Sequence, residues 1–418
     1  MHFRFPRVYR AGLVLCVGIA AAAWAQDAAE NNNRGIAAYN SGQFAEAIVL
    51  FEKAHDGAPG NATVRRNLCN ARQAEANRLA KEDSFAQAVE HLELAIGADP
   101  ENPSPLVQLG SYYLHLGMVQ ESILRLEEAI ELKPGELDAH ELLGEAYYRD
   151  NDLSSARAQW DYVLEMDPNR KGLRDRYDKA FREESVEYNF NRMLSGSRHF
   201  SLTFPKQVSF AIRSRVLTTL ERAYIDIGRK LGSAYPPGPI QVILYNNQQF
   251  SEATQLDAHV GAVYDGKIRV PLTDGNGEAL PDDELKRRIV HEYVHVVVRH
   301  ILKDRVSWWL NEGLAEMFSR EMDAPTRDLV RAAYAENRAF PLADLEGHQL
   351  KKLSPEALRL AYAQSCAAAN LLWTRFGPRK MMEMLSLLGT GVSQEEALRQ
   401  VYRRTYSSLD RDVASSLR

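Results

Sequence analysis

Apolar residues in the first half of the chain recur at the spacing of amphipathic helices, and this pattern changes near residue 198. Prolines at 59, 100, 134 and 168 each follow an amphipathic segment, at intervals of 41, 34 and 34 residues. The pattern therefore predicts four helix pairs between residues 28 and 168, followed by a separate domain in the second half of the chain.

Small and aromatic residues occupy matching positions in successive units. The third and fourth units show this most clearly, with Gly110, Tyr113, Leu126, Ala129, Gly144, Tyr147, Ala156 and Trp160. These positions and the 34-residue period resemble tetratricopeptide repeats. The resemblance implies an all-α superhelix whose concave groove binds a peptide or a partner protein; alternatively, the repeats only position or oligomerise the rest of the chain. The second unit has seven extra residues, which predicts a longer first helix around 67–81.

Residues 170–193 are rich in charge but keep scattered apolar positions. We expect a terminal helix that caps the repeats with a polar outer face and whose charges are solvated. Ser195-Gly196-Ser197 ends this helix. The repeats with their cap are therefore predicted at 28–194, and the second domain at 198–418.

The second domain combines strand and helix patterns. Alternating apolar residues predict strands at 199–204 and 240–245, and a hairpin or edge strand at 260–271 around Asp265-Gly266. A long helix is predicted at 208–231. Beyond Pro281 the pattern is helical, with Asp282 as the first N-cap and later helices at 308–320, 326–336, 355–376, 379–388, 394–403 and from 408. This pattern predicts an α+β domain with a helical C-terminal lobe.

The segment HEYVH at residues 291–295 carries the candidate chemistry. Residues four apart lie on one face of a helix, so His291 and His295 can direct two imidazoles at one metal ion. Glu292 would then lie beside the metal, where a carboxylate can act as a general base towards water. The alternative is a buried helix whose histidines bond to backbone or carboxylate groups.

A catalytic metal site needs a third protein ligand from a separate element. Glu312, in the segment NEGLAE, lies seventeen residues after His295 on a second predicted helix, and we expect it to be that ligand. Glu316 lies one helical turn further, where it can accept the free ring N–H of a ligand histidine. Without a cation, Glu292, Glu312 and Glu316 would be unexplained acids on apolar helices.

HEYVH followed by WLNEGLAE resembles the gluzincin metallopeptidases, the superfamily of thermolysin and the zinc aminopeptidases, and especially its short bacterial peptidase MA branch. The resemblance implies a thermolysin-like fold with one Zn²⁺ ion on His291, His295 and Glu312, and Glu292 as base. Gluzincins also stabilise the oxyanion with a downstream tyrosine or histidine, and Tyr362 is our candidate. The alternative for Tyr362 is a packed core tyrosine. His259, His300 and His348 are interpreted as ordinary surface or loop histidines.

In gluzincins an edge strand pairs with the substrate backbone, a role that the resemblance extends to 260–271. The zinc aminopeptidases also use a glutamate in a Gly-Ala-Met-Glu-Asn segment to bind the substrate amino terminus. This chain has Gly261-Ala262-Val263-Tyr264-Asp265 there, without a glutamate, although Asp265 could substitute. The difference favours an endopeptidase over an aminopeptidase.

Residues 1–25 have the pattern of a secretory signal peptide. Arg4, Arg7 and Arg10 precede an apolar run from 11 to 23, and Ala23-Trp24-Ala25 offers a cleavage site. The run is short for a membrane span, and Leu15 before Cys16 does not suit lipid attachment. We therefore expect a periplasmic or secreted protein without a stable membrane anchor; the alternative is an uncleaved anchor.

Removal of this segment would change the formal net charge from −5 to −8, because it contains three arginines and no acidic residue. A mildly acidic chain without a basic stripe argues against nucleic acid as the main partner. Two cysteines, Cys69 and Cys366, remain, and we expect two buried free thiols rather than a disulfide framework.

The leading hypothesis is therefore an exported zinc endopeptidase that cleaves a protein or peptide substrate recruited by the repeats. One alternative is an envelope scaffold or chaperone-like binding protein whose zinc domain is not catalytic. Another is a zinc aminopeptidase. The complete set of ligands and base favours an enzyme over a scaffold.

Overall fold

The structure is a computed structural model that describes residues 26–256, 262–303, 305–347 and 353–417. The chain divides between Tyr177 and Asp178 into two compact units. The predicted signal peptide at 1–25 lies outside the described residues, as do His259, Gly261 and His348. Within the described ranges, no helix is long and apolar enough to cross a membrane.

The described part of the first unit contains four helix pairs, which confirms the predicted repeat architecture. The pairs are α1 (26–40) with α2 (Phe44–Gly57), α3 (Ala62–Lys81) with α4 (Phe85–Ala98), α5 (Ser104–Leu116) with α6 (Val119–Leu132), and α7 (Leu137–Arg149) with α8 (Leu153–Met166). The first helix of the second pair, α3, has 20 residues, whereas α5 and α7 have 13 each. The extra residues of the second unit therefore lengthen its first helix, as predicted.

A small residue on the first helix of each pair lets a large side chain of the second helix pack against the backbone. A Cβ on Gly110 would lie 2.5 Å from Cγ of Leu126, and a Cβ on Gly144 would lie 2.3 Å from Nε1 of Trp160. Gly35 makes the same contact with Phe51. The second pair places Ala76 and Leu92, both fully buried, at the matching positions.

The second unit contains a five-stranded mixed sheet in its described residues. The strands are β1 (Asn191–Leu194), β2 (Phe200–Phe204), β3 (Ile240–Tyr245), β4 (Val263–Tyr264) and β5 (Ile268–Pro271), in the order β1-β2-β3-β5-β4. β2, β3 and β5 are parallel, while β1 and β4 pair antiparallel at the two edges. The predicted hairpin around Asp265-Gly266 is therefore confirmed, and β4 is an edge strand.

The segment before this sheet corrects two predictions. Helix α9 (Leu173–Glu187) ends earlier than expected, and residues 191–194 form β1 instead of its last turn. Ser195-Gly196-Ser197 joins β1 to β2, and the Ser195 N–H donates to the Phe200 carbonyl at 2.8 Å. The boundary predicted at 194–198 is therefore wrong, because this turn closes a hairpin inside the second unit.

The charges of α9 are not all solvated either. The side chain of Glu183 is fully buried, and its carboxylate lies 2.9 Å from Nη2 of Arg269 and 3.3 Å from Nζ of Lys267. Glu187 accepts a hydrogen bond from the hydroxyl of Tyr245 on β3. Opposite charges on β5 and the β4–β5 turn make burial of these carboxylates possible, and helical periodicity does not reveal such partners.

Helices cover the sheet and complete the second unit. They are α10 (Phe210–Lys230), α11 (Asn247–Thr254), α12 (Asp282–Leu302), α13 (Trp308–Ser319), α14 (Ala324–Ala335), α15 (Pro355–Phe376), α16 (Pro378–Gly389), α17 (Gln394–Tyr402) and α18 (Tyr406–Ser416), with a 3₁₀ helix at Leu342–Leu345. The predicted α+β domain with a helical lobe is therefore observed as a helix-rich unit with a small sheet. Pattern analysis missed α11 and the 3₁₀ helix, which are short. The N-cap of α12 is Pro281, so Asp282 is its first residue and not its cap.

One continuous core joins the sheet to α10, α12, α13 and the later helices. Both described cysteines, Cys69 and Cys366, are buried free thiols, as predicted.

Candidate metal centre

Helix α12 presents two imidazoles beside each other because one of its faces is fixed in the core. Val294, Val297 and Val298 are each no more than 1% exposed. This packing leaves the side chains of His291 and His295 on another face, 12% and 11% exposed. Their ring centroids are 4.8 Å apart, with an interplanar angle of 84°.

Helix α13 brings a carboxylate to both imidazoles. Oε2 of Glu312 lies 3.3 Å from Nε2 of His291 and 3.5 Å from Nε2 of His295. Potential ligand atoms of all three residues lie within 4.8 Å of one another. The convergence of two imidazole nitrogens on one carboxylate oxygen is a donor set that can hold a divalent metal ion and leave a coordination position open.

The electrostatics of this cluster also fit a cation. Glu292 and Glu312 are 6% and 9% exposed, and burial raises the pKa of Glu292. Burial alone would raise the pKa of Glu312, but the neighbouring His295 and His291 lower it to about 2. Burial alone would lower the pKa of His295, but Glu312 and Glu292 raise it to about 9. The two carboxylates thus favour a positive charge in this buried site, and a bound metal ion would provide that charge.

Glu316 lies behind His291. Its Oε1 is 3.4 Å from Nδ1 of His291, although the angle falls short of a hydrogen bond. Nε and Nη2 of Arg320 lie 2.9 and 2.8 Å from Oε2 of Glu316, and Nη1 of Arg287 lies 3.6 Å from Oε1. Two arginines therefore hold the carboxylate that faces the histidine. Sequence analysis missed both, although Arg320 is four residues from Glu316 on one helix face.

Tyr362, on α15, lies near this cluster. Its ring packs against Trp308 with centroids 5.0 Å apart. Burial raises its pKa, and the charges of Glu312, Glu292 and Glu316 raise it further. Trp308 belongs to α13, so the ring of Tyr362 packs against the helix that carries Glu312, and its part in chemistry stays a prediction.

The close approach of α13 to α15 depends on Gly313, the residue after Glu312. A Cβ at this position would lie 2.4 Å from the backbone oxygen of Ser365 on α15. No larger residue fits there without separating the two helices. Gly313 therefore sets the spacing between the helix that carries Glu312 and the helix that carries Tyr362, and sequence analysis gave it no role.

The edge strand β4 contacts α12 and precedes Asp265. One oxygen of Asp265 accepts from Nζ of Lys179 at 2.7 Å, and the other accepts from Nε of Arg269 at 3.2 Å. The candidate amine-binding residue is thus already paired with two cations of its own chain. His300, expected on the surface or in a loop, is half-buried near the end of α12.

Comparison with known proteins agrees with this division of the chain. Residues 219–418 match the family model of the Peptidase MA superfamily, and residues 107–170 match that of the tetratricopeptide repeat. The chain therefore contains a Peptidase MA superfamily domain and a region of tetratricopeptide repeats.

Individual relatives are distant. The chain is 28% identical over 109 residues to Hsp70-Hsp90 organizing protein 2 of Arabidopsis thaliana, a match that covers 26% of this chain and 19% of that protein. A solved structure of the first tetratricopeptide domain of Spaghetti, bound to the HSP90 peptide SRMEEVD, is 20% identical, with 28% of this chain and 93% of that chain covered and a TM-score of 0.28. Pseudomonas aeruginosa pilF is 16% identical, with 56% and 95% covered and a TM-score of 0.30.

Proposed function

We propose that this protein is a zinc-dependent endopeptidase whose repeats bind a protein substrate or partner. The observation that carries the proposal is the convergence of His291 and His295 on one oxygen of Glu312, at 3.3 and 3.5 Å, beside the buried Glu292. Two histidines and a glutamate form a donor set of catalytic zinc sites. The Peptidase MA superfamily domain supports the same reaction class.

Each site residue has its own role in the proposed reaction. Zinc, when bound, lowers the pKa of water and polarises a peptide carbonyl. Glu292 takes the proton from the attacking water and delivers it to the leaving amine nitrogen. The hydroxyl of Tyr362 donates a hydrogen bond to the developing oxyanion. Glu316, held by Arg320 and Arg287, orients the ring of His291.

Cleavage of internal bonds fits the site better than removal of amino-terminal residues. Binding of a substrate amino group needs an available carboxylate near the edge strand. Asp265 occupies that region, but Lys179 and Arg269 already bind both of its oxygens. This pairing supports an endopeptidase as the proposed activity.

The repeats supply the second part of the proposal. Tetratricopeptide superhelices present a concave groove to a peptide or protein. The Spaghetti domain was solved with a bound peptide, which is a property of that protein and an analogy for this one. We therefore assign the repeats to the recruitment of a protein substrate or a partner that delivers it.

Export is also part of the proposal and rests on the sequence of residues 1–25 alone. Three arginines, an apolar run and Ala23-Trp24-Ala25 favour a cleaved signal peptide. The chain would then act in the periplasm or outside the cell, from a start at Gln26.

The test is cleavage of an unfolded protein substrate by the purified chain starting at Gln26. We compare the unchanged protein with Glu292→Gln, with chelator treatment and with zinc added back, and we use the exposed Glu356→Gln as a control. The expected result is cleavage that the chelator abolishes, zinc restores and Glu292→Gln lacks, although it retains one zinc ion per chain. The Glu356→Gln control should cleave normally.

Three outcomes would contradict the proposal. Full activity of Glu292→Gln would remove the proposed base. Stoichiometric zinc without cleavage of any unfolded protein, together with intact partner binding, would favour the scaffold alternative. Release of single amino-terminal residues in place of internal fragments would indicate an exopeptidase.

A further inference from the structure

The repeats contain a cleft of about 540 Å³. It lies wholly within the first unit and is formed by side chains of α3, α5 and α7, the first helices of three successive pairs, together with Glu136, which precedes α7, and Arg170. Its walls combine neutral polar groups on α3 and α5 with carboxylates at and near the start of α7. These two walls have different chemistry.

The wall on α3 and α5 is a row of amide and hydroxyl groups. Nε2 of Gln108 lies 2.7 Å from Oδ1 of Asn77 and 2.8 Å from the hydroxyl of Tyr112. The hydroxyl of Tyr112 donates to the same Oδ1 of Asn77 at 2.9 Å. Side-chain amides carry both donors and acceptors, as does a peptide backbone. This wall therefore matches the main chain of an extended peptide without requiring a particular side chain.

The wall at α7 carries the charge. The guanidinium group of Arg170 donates hydrogen bonds to Asp138 and to Glu141. The other oxygen of Glu141 accepts a hydrogen bond from Arg176. Among the described side chains that line the cleft, the one cation is thus already neutralised. An acidic ligand would find carboxylates here and no unpaired positive charge.

Two carboxylates of this wall keep binding capacity. Oδ1 of Asp138 binds Arg170 and Oε2 of Glu136 binds Lys133, while the second oxygen of each has no hydrogen-bond partner among the described residues. The side chain of Asp138 is 62% exposed. These oxygens can accept from the ammonium or guanidinium group of a ligand at the edge of the amide row.

We infer that this cleft binds an extended peptide segment that carries a lysine or arginine side chain. Asn77 and Gln108 contact its main chain, and Glu136 and Asp138 bind its cation. The inference deepens the proposed role of the repeats and rests on it, because it names the chemistry of the recruited partner. An acidic segment is the competing ligand that the same cleft disfavours.

The test is a binding measurement with three fluorescein-labelled dodecapeptides of Gly, Ser and Thr, which differ only in carrying lysine, glutamine or glutamate at two central positions. The protein is the chain from Gln26 with Glu292→Gln, so that no probe is cleaved. By fluorescence anisotropy, we expect the lysine peptide to bind about tenfold more tightly than the glutamate peptide, with the glutamine peptide between them. Salt at about 0.5 M should reduce the difference, since screening weakens exposed ion pairs.

Variants separate the two walls. Combined Glu136→Gln and Asp138→Asn should remove the preference for lysine over glutamine. The combined changes Asn77→Ala and Gln108→Ala should weaken the binding of all three peptides by a similar factor. The matched control, Glu131→Gln with Asp161→Asn, changes exposed acids on α6 and α8. It should leave the affinity for each of the three peptides unchanged. Circular dichroism checks that each variant is folded.

The inference would be overturned if the glutamate peptide bound more tightly than the lysine peptide. It would also be overturned if none of the three peptides bound at about 1 mM protein. A lysine preference that survives the double change at 136 and 138 would also overturn it. Because the measurement uses a chain that cannot cleave, its failure leaves the proposed peptidase activity standing. Loss of the proposed activity, in turn, does not affect the binding result.

Discussion

The carboxylate of Glu183 on α9 lies 2.9 Å from Nη2 of Arg269 on β5, and neither side chain is exposed to solvent. Nζ of Lys267 lies 3.3 Å from the same carboxylate, and Nη1 of Arg269 binds the hydroxyl of Tyr245 at 2.9 Å. A helix that looks solvated in the sequence is therefore fixed to the sheet by buried charge. The contact reaches the β4–β5 hairpin, whose edge strand lies against α12.

Removal of the Glu183 charge should be strongly destabilising. A Glu183→Gln change removes the negative charge that Arg269 and Lys267 face in the core. Loss of one partner of a buried ion pair lowers the free energy of unfolding by about 3 kcal/mol or more. Urea unfolding followed by circular dichroism should show a lower midpoint for the second unit. Asp178→Asn, at an exposed position of the same helix, is the control and should unfold as the unchanged chain does. Equal midpoints for both variants would show that the pair does not stabilise the unit.

The ionised carboxylate of Asp265 should stabilise the fold at neutral pH and lose this effect in acid. Burial alone would raise its pKa, but Arg269 and Lys179 lower it to about 2. Because the folded pKa lies below the ordinary value, the ionised carboxylate stabilises the fold above about pH 4 and loses that effect as the pH falls towards 2. Asp265→Asn should therefore lower the free energy of unfolding by about 1 kcal/mol at pH 7, because solvent screens this partly exposed carboxylate, and by much less near pH 2.

Urea unfolding at several pH values tests this dependence. The exposed Asp226→Asn serves as the control, because its side chain is 62% exposed and its nearest cationic nitrogen, on Arg229, is 3.8 Å away. A stability difference for Asp265→Asn that stays constant from pH 7 to about pH 2 would contradict the assigned ion pairs.

Gly144 should not tolerate a methyl group. Its added Cβ would lie 2.3 Å from Nε1 of Trp160, and that nitrogen donates to the carbonyl of Glu141 at 3.1 Å, so the buried indole cannot move aside freely. Overpacking of this kind costs about 1–3 kcal/mol, which exceeds the gain in helix propensity from alanine. Thermal unfolding should show a lower midpoint for Gly144→Ala. Gly135→Ala, where a Cβ meets nothing within 4 Å, should leave the midpoint unchanged.

The elements that sequence analysis predicted well are those fixed by local spacing. His291 and His295 lie four residues apart on one helix, so their proximity to each other follows from helical geometry alone. Glu312 and Glu316 share a face of the next helix for the same reason. The 34-residue period similarly predicted the repeats, because each pair of helices packs mainly on its neighbours.

The missed features depend on elements that are distant in sequence. The burial of Glu183 is possible only because Arg269 and Lys267 lie beneath it, and these residues are more than 80 positions away. The backbone oxygen of Ser365 similarly gives Gly313 its role. Periodicity indicates which face of a helix is apolar but not which distant group meets it, so charged residues in α9 were interpreted as solvated.

Gly313 provides the last prediction, which links packing to the metal centre. Gly313→Ala would place a Cβ 2.4 Å from a backbone oxygen of α15, and a backbone atom cannot rotate away as a side chain can. Helix α13 must then shift and take Glu312 with it. A displacement of about 1 Å in a catalytic group can cost about a hundredfold in rate. We therefore expect weaker zinc binding in competition with a chelator and at least about tenfold slower cleavage, while Gly275→Ala, whose Cβ meets nothing within 4 Å, should match the unchanged protein. Unchanged zinc affinity and rate in Gly313→Ala would mean that the spacing of α13 and α15 does not position the ligand.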